Sequence, residues 1–286
     1  MKYDTIPKWI RAKVSDDDNS HYVKEILHKK GLNSVCVSAD CPNKGECWKK
    51  KHVTFMILGD VCTRNCFFCN IKTGKTQDPD DEEPRRIAEA VKELGIKYVV
   101  ITSVTRDDLT DKGAGQFIRT MEEIKKLTPE VKTELLIPDF NADPLILKKI
   151  ASSGADVIGH NIEMPAGLYP GIRPKADYNE SIEVLKTLKK ISKNTPIKSS
   201  IMVGLGEGEE DITRTLQDLK DAGVDIVYIG QYLSPTKENW PVKKYYTPDE
   251  FSFLEAKTKQ MGFKFVFSGP LVRSSYRALE AYLQAC

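Results

Sequence analysis

The feature that most limits what this chain can fold into is a rhythm. From Thr54 onward, short apolar runs alternate with longer amphipathic segments. The first kind reads as buried strand, the second as a helix with one face on a core. Strands are expected at 54–58, 98–102, 132–136, 157–162, 198–203 and 226–230. Helices are expected at 84–94, 115–127, 144–152, 179–191 and 209–222. Pro84 and Pro144 suit first-turn positions, and Gly95, Gly154 and Gly223 suit helix stops. A final helix at 248–261 and a last strand at 263–267 close the chain. Such alternation implies an α/β fold with a parallel sheet and right-handed crossovers. Six βα units are too few for an eight-stranded barrel, so the expected architecture is an open, partial (β/α)6 barrel. Residues 51–262 would form this core. Residues 1–50 would be an N-terminal arm with a cysteine-rich loop, and 263–286 a C-terminal strand and extension.

In such architectures the active site sits where strands end. Directly after the first strand comes Val61-Cys-Thr-Arg-Asn-Cys-Phe-Phe-Cys69. Cys62, Cys66 and Cys69, spaced C-x3-C-x2-C, can hold three irons of a cubane 4Fe–4S cluster and leave the fourth without a protein ligand. An open metal position suits catalysis. The alternative is a zinc site, which would want a fourth Cys or His, and none follows at short range. The spacing, with the aromatic Phe68 before the last cysteine, resembles the signature of the radical S-adenosylmethionine (SAM) enzymes. In that family the open iron is chelated by the amino and carboxylate groups of SAM, and the reduced cluster cleaves SAM to methionine and a 5′-deoxyadenosyl radical.

A second set precedes it. Cys36, Cys41 and Cys47 are spaced C-x4-C-x5-C, with turn formers Pro42, Asn43 and Gly45 between them. A short loop wrapped round a second 4Fe–4S cluster, again one ligand short, is the economical reading. The seventh cysteine, Cys286, is the last residue and receives no role. Ahead of these, an acidic run Asp16-Asp17-Asp18 precedes a helix expected at 21–30, ended by Gly31. His21 and His28 read as surface histidines.

The chain has 286 residues and a net charge of +2, with acids and bases interspersed. That argues against a nucleic-acid binder working by bulk charge. No apolar run is long enough to span a bilayer, and the N-terminus lacks an apolar signal core. A cytoplasmic protein is expected, and in a reducing compartment clustered cysteines read as metal ligands.

The remaining strand ends are rich in polar residues: Ser103-Val-Thr-Arg-Asp-Asp-Leu109, Pro138-Asp-Phe140, Gly159-His-Asn-Ile-Glu163 with Tyr169–Arg173 beyond it, Met202-Val-Gly-Leu-Gly-Glu207, and Gln231–Thr236. A structural barrel has no need of this, so a cavity for a polar ligand is expected; ordinary loop composition and capping is the alternative. The tail reads Arg273-Ser-Ser-Tyr276. Together these motifs resemble lipoyl synthase over nearly the whole chain, from about Val35 to Tyr276. The chain departs from that family's usual pattern at Glu163-Met-Pro165, at Ser200, and at Asn239-Trp240, where a histidine is common.

The resemblance implies a radical-SAM-type barrel and insertion of two sulfur atoms at C6 and C8 of a protein-bound octanoyl-lysine. Both carbons are unactivated, so no acid, base or polar nucleophile could attack them. Two SAM molecules would be used, with sulfur from an auxiliary 4Fe–4S cluster on Cys36, Cys41 and Cys47. Its fourth ligand would be Ser275, with Ser274 as the fallback. Cys62, Cys66 and Cys69 would hold the SAM-cleaving cluster. Asn161, Glu163 and Arg173 would line the SAM pocket, Arg173 pairing the SAM carboxylate as a fork, joined by Ser103 and Glu207. The implied partners are an octanoylated carrier (glycine-cleavage H protein or the lipoyl domain of a dehydrogenase acyltransferase), an electron donor such as ferredoxin or flavodoxin, and a cluster-repair protein, with no nucleic acid and no membrane. Two other classes remain open: a different radical SAM enzyme with an auxiliary cluster, and a two-cluster electron-transfer protein.

Overall fold

The computed structural model describes residues 6–10 and 17–286. Asp16 of the acidic run and the first five residues lie outside them. Helix α1, Asp18–Lys29, starts three residues before the expected position. The acidic run is the reason: Asp17 is its N-cap and accepts from the amides of Asn19 and Ser20. Val23, Ile26 and Leu27 are buried as the spacing required.

The elements that follow are β1 (Asn33–Ser34), α2 (Val35–Ser38), α3 (Lys44–Lys49), β2 (Thr54–Ile57), the small pair β3 (Val61–Cys62) and β4 (Lys72–Thr73), α4 (Glu83–Leu94) and β5 (Tyr98–Ser103). Then come α5 (Ala114–Leu127), β6 (Lys132–Leu136), α6 (Pro144–Ala151), β7 (Val157–Gly159), the single turn α7 (Tyr169–Ile172), α8 (Tyr178–Ile191) and β8 (Ile197–Val203). The chain ends with α9 (Glu209–Asp221), β9 (Ile226–Gln231), α10 (Pro248–Gln260), β10 (Phe265–Gly269) and α11 (Ala278–Ala285).

One sheet runs in the order β1-β2-β5-β6-β7-β8-β9-β10. All its pairings are parallel except β1 on β2. The expected six strands are all present. The last strand adds a seventh parallel member, because β10 pairs with β9 from Phe265↔Ile226 to Gly269↔Gly230. A two-residue antiparallel strand guards the opposite edge.

Side chains alternate across this sheet with period two. Val99, Ile101, Leu135, Ile158, Val227 and Ile229 face outward into the core beneath the helices. Tyr98, Val100, Val157, Ile226 and Tyr228 face inward and meet the C-terminal segment. Tyr282 of α11 packs on Tyr98 with ring centroids 5.8 Å apart, and it is also packed against the buried cluster that includes Val157, Ile226 and Tyr228. The inner face also holds a buried ion pair. Lys198 Nζ donates to both Glu134 oxygens at 2.9 and 3.0 Å, Tyr98 Oη donates to Glu134 at 2.8 Å, and Lys198 stands 4.3 Å over the Tyr228 ring.

Two departures shape the site. Strand β7 was expected to run to residue 162 and stops at Gly159. His160 N still donates to Lys198 O, but Ile162 N turns to the Ser199 hydroxyl, and pairing resumes only at Glu163, whose φ is +65°. The chain bulges there, which re-aims Asn161 and Glu163. The tail is the second departure. Following the last strand, it can in principle reach the cluster end of the barrel. Instead it crosses β9 at Gly230, where a Cβ would fall 2.2 Å from Val272 O, and descends the inner face to Tyr98 and Val100.

Candidate active site

The loop 61–73 is closed at its base by the β3–β4 pair. Phe67 N donates to Ile172 O at 2.8 Å and Thr63 N to Thr105 O at 3.1 Å. At its centre is a residue the sequence reading passed over. Arg64 is buried, and its Nε and Nη2 donate to the two Asp107 oxygens at 2.7 and 2.8 Å. Its Nη1 and Nη2 donate to Asp139, and Nη2 also reaches Asn141 Oδ1. Burial opposes the Arg64 charge, but the two aspartates outweigh it and raise its pKa. Burial likewise opposes ionisation of Asp139 and Asp107, but Arg64 holds both carboxyls below the usual range. The loops after β5 and β6 therefore grip the cysteine loop through one guanidinium. An arginine inside the cysteine motif and aspartates at two strand ends were the available signal.

Backbone amides approach two of the sulfurs: Arg64 N to Cys62 Sγ and Ile71 N to Cys69 Sγ, both at 3.4 Å. Burial pushes the Cys69 thiol up to about 12 and raises Cys66, against the pull of the nearby Arg173. Thiols held this way give up their protons to a metal rather than to solvent.

Beside this loop the bulge and the α7 turn bring together Asn161, Glu163 and Arg173. Arg173 is buried, its Nη1 donates to Tyr169 Oη at 2.9 Å, and it lies 5.0 Å over that ring. With Nη1 taken, the expected carboxylate fork is reduced on that side. Burial raises the Glu163 pKa, opposed by Arg173 and a hydrogen bond from Asn161. Buried polar atoms without a partner include Asn161 Oδ1 and Arg173 Nε here and Ser103 Oγ at the end of β5. Buried polar groups are ordinarily satisfied. A hydroxyl, a cationic N–H and an amide oxygen are what the carboxylate and ammonium of an amino-acid ligand require. His160, the neighbouring residue of the motif, is buried with Nδ1 on Ile137 O and Nε2 unpartnered, and burial pulls its pKa down to about 4.

Glu207 does not join them. Its carboxylate accepts from the amides of Gly204, Leu205 and Gly206 at 2.6, 2.8 and 3.0 Å and from Tyr246 Oη at 3.1 Å. Those four donors fill its acceptor sites, so it organises the glycine loop and is not free to bind a cofactor.

The first cysteine set sits elsewhere. The expected wrapped loop is two short helices, with Cys36 on α2, Cys47 on α3 and Cys41 between them. Ser34 caps α2 and donates to Thr54 O at 2.9 Å. Asn43 Nδ2 donates to Leu271 O of the tail at 2.5 Å. Cys36, Cys41 and Cys47 line one cavity with Tyr98, Arg273 and Ser275, whereas Ser274 is not among its lining residues. Neither Ser274 nor Ser275 caps the following helix: α11 starts at Ala278 and its cap position is Arg277, with no side-chain cap bond. Burial, with the charge of the neighbouring thiolates, pushes the Cys47 thiol up to about 12 and raises Cys41. Arg273 bonds only its own neighbour, Val272 O, and has no carboxylate partner among the described residues. A half-buried guanidinium lining the same cavity as three thiols fits an anionic cluster. Among the described residues, no group of three or more His, Cys, Asp or Glu is placed to hold a single metal ion. A cubane takes thiolates on separate irons and so asks for a wider triangle. Asn70 Nδ2 donates to Ser38 O at 3.1 Å, joining the two cysteine regions.

Residues 56–219 match the family described as the radical SAM superfamily. A lipoyl synthase from Caldicellulosiruptor saccharolyticus is 49% identical over 274 residues, covering 96% of each chain. One from Alkaliphilus metalliredigens is 48% identical over 275 residues, covering 96% of this chain and 95% of that one. Among solved structures, methylornithine synthase superposes with a TM-score of 0.57 at 16% identity, covering 73% of this chain and 62% of that one. Streptococcus suis SuiB bound to S-adenosylmethionine gives 0.57 at 15% identity, covering 78% and 52%. These two likenesses speak for the fold. No described helix is long and apolar enough to cross a membrane.

Proposed function

This chain belongs to the lipoyl synthase family of the radical SAM superfamily, and from that premise we propose which of its residues insert two sulfur atoms at C6 and C8 of a protein-bound octanoyl-lysine. The carrying observation is that two separate sets of three thiols each have their own complementary neighbours. One stands beside the unpartnered atoms of Ser103, Asn161 and Arg173, the other shares a cavity with Arg273 and Ser275.

Cys62, Cys66 and Cys69 hold the SAM-cleaving cluster. Cys36, Cys41, Cys47 and Ser275 hold the auxiliary one. When bound, these groups supply hydrogen abstraction by a 5′-deoxyadenosyl radical and the sulfur that replaces the hydrogen. The protein's own part is to bind and aim. Arg173 Nε and Ser103 Oγ would donate to the SAM carboxylate, Asn161 Oδ1 would accept from its amino group, and Glu163 would add negative charge near that amino group. Arg64 fixes the cysteine loop from behind. Arg273 balances the negative charge of the thiolates and the Ser275 alkoxide. An alkoxide is a harder, less matched partner for iron than a thiolate, so Ser275 is the ligand best suited to release. Functionally the chain divides into 1–50 with the first cysteine set, 51–262 as the barrel, and 263–286 as the tail carrying Ser275.

The substrate is an octanoylated carrier protein. Glycine-cleavage H protein and the lipoyl domain of a dehydrogenase acyltransferase are the proposed carriers, ferredoxin or flavodoxin the proposed reductant, with a cluster-repair protein and a cytoplasmic setting. The test is an anaerobic reaction with octanoylated carrier, SAM and a strong reductant, read by mass spectrometry. The expected product carries two added sulfurs. Deoxyadenosine without any sulfur in the carrier would point to another radical SAM enzyme, and no SAM cleavage to an electron-transfer protein.

A further inference from the structure

Between β9 and α10 the chain runs through residues 232–247 without regular structure. Long connections of this kind in a compact domain are usually functional. Asn239 and Trp240 tie this one to the cysteine loop. Asn239 Nδ2 donates to Phe67 O at 3.1 Å and Cys69 O at 3.0 Å. Its Oδ1 accepts from the amide and hydroxyl of Thr236 at 3.2 and 2.8 Å. Both donors and both acceptor positions of the carboxamide are therefore used. Trp240 N donates to Phe67 O at 2.8 Å, its Nε1 to Leu205 O at 2.9 Å, and its carbonyl accepts from Tyr232 Oη at 2.6 Å. The indole lies against Gly171, where an added Cβ would stand 3.6 Å from the ring.

Two consecutive residues thus join three segments that are far apart in sequence. These are the loop carrying Cys66 and Cys69, the turn that ends in Arg173, and the glycine loop that Glu207 organises. Neither residue is among the groups assigned above to SAM or iron. We infer that Asn239 is a positioning residue for SAM binding. Its carboxamide ties the Phe67–Cys69 backbone to the connection whose next residue, Trp240, lies against the α7 turn, and so sets the spacing between the third thiolate and the atoms that receive SAM. This rests on reading Cys62, Cys66 and Cys69 as the SAM-cleaving site.

The chemistry of the position makes the test selective. Asn239→Asp keeps the shape and the Thr236 contacts but turns a carboxylate oxygen on two carbonyl oxygens. Asn239→His restores one ring N–H donor. SAM affinity and the SAM-dependent change in the electron paramagnetic resonance spectrum are measured on the anaerobically reconstituted full chain. Iron content and melting temperature are measured on the same samples. The Asp variant should keep its iron, its melting temperature and the spectrum of the first cysteine set's cluster. Its SAM affinity should fall on the order of ten-fold, the scale of two lost hydrogen bonds partly transmitted, and the His variant should recover most of it. Unchanged SAM affinity in Asn239→Asp overturns the inference. So does a joint fall of iron, melting temperature and affinity that histidine does not rescue, since that marks a purely structural contact. If the parent protein binds SAM no better than a variant with Cys62, Cys66 and Cys69 all changed to Ala, the site reading itself fails, and the inference with it.

Discussion

The two cysteine sets carry the same three ligands and are built in opposite ways. The first is carried on two short helices against the N-terminal halves of β2 and β5, anchored by neutral hydrogen bonds such as Asn43 to Leu271 O and Ser34 to Thr54 O. The second is an irregular loop at the C-terminal ends of the strands, anchored by a buried guanidinium between two carboxylates. Beside the first lie a cation without a carboxylate partner among the described residues and a hydroxyl; beside the second lie unpartnered groups of the kind that bind an amino acid. Identical ligands do not set the role of an iron site. The surrounding groups do, and they are what the experiments below separate.

The largest effects come from deleting each set. The parent should hold about eight irons per chain after anaerobic reconstitution, four per cluster. Changing Cys62, Cys66 and Cys69 to Ala should leave roughly half the iron and abolish SAM cleavage. Changing Cys36, Cys41 and Cys47 to Ala should also halve the iron, yet spare deoxyadenosine formation while stopping sulfur insertion. Deoxyadenosine formation that fell equally in both variants would erase the distinction.

Ser275 sharpens the comparison within the first set. Because Arg277 occupies the cap position of α11, Ser275→Ala loses no helix cap and should leave the melting temperature near that of the parent. Both clusters should assemble while lipoyl product is blocked. Ser275→Cys gives that iron a firmer ligand and should also impede release of sulfur. Full product from both variants would return the ligand role to Ser274 or to an exogenous group.

Arg64→Met attacks the anchor of the second set. Asp139, 1% exposed, would be left buried without its cation, a loss of about 3–5 kcal/mol. Iron should leave the second set and stay in the first. The parent should also show an acid-side dependence that this variant lacks. Both aspartates sit below the ordinary carboxyl range, so their contribution is present above the unfolded value of about 3.9 and is lost as pH falls through the lowered folded values. Equal acid stability of parent and variant in a denaturant titration would contradict the clamp.

Much of this was legible in the chain. The strand–helix alternation is local, and so is the spacing of each cysteine set, so both could be read without knowing what they pack against. The rest depends on partners distant in sequence. Arg64 meets Asp107 and Asp139 across 43 and 75 positions, and Asn239 meets Cys69 across 170. Asn239 stood out in sequence only as a departure from a family pattern. The β7 bulge was hidden because a run of apolar alternation does not show where the ladder is broken by a side-chain hydroxyl such as Ser199. The tail's path was hidden because Gly230 marks a close approach without saying what approaches.

The smallest effect tests the anchoring of the first set at the opposite end of the pH scale. Tyr276 Oη donates to both oxygens of Glu46 on α3 at 3.1 Å, tying the Ser275 segment to the helix that carries Cys47. Burial, with the Glu46 charge and hydrogen bond, pushes the phenol up to about 12. A raised phenol stabilises the fold fully below its unfolded value of about 10, and that contribution is lost as pH rises through 12. The contact is partly exposed, so it contributes under about 1 kcal/mol. Tyr276→Phe should therefore lower the melting temperature by a few degrees at most at pH 7, with the difference from the parent shrinking above pH 10. Acid should loosen the second cysteine set and alkali the first. A gap between parent and Tyr276→Phe that widened with rising pH would reverse the sign and remove the Glu46 contact as the anchor.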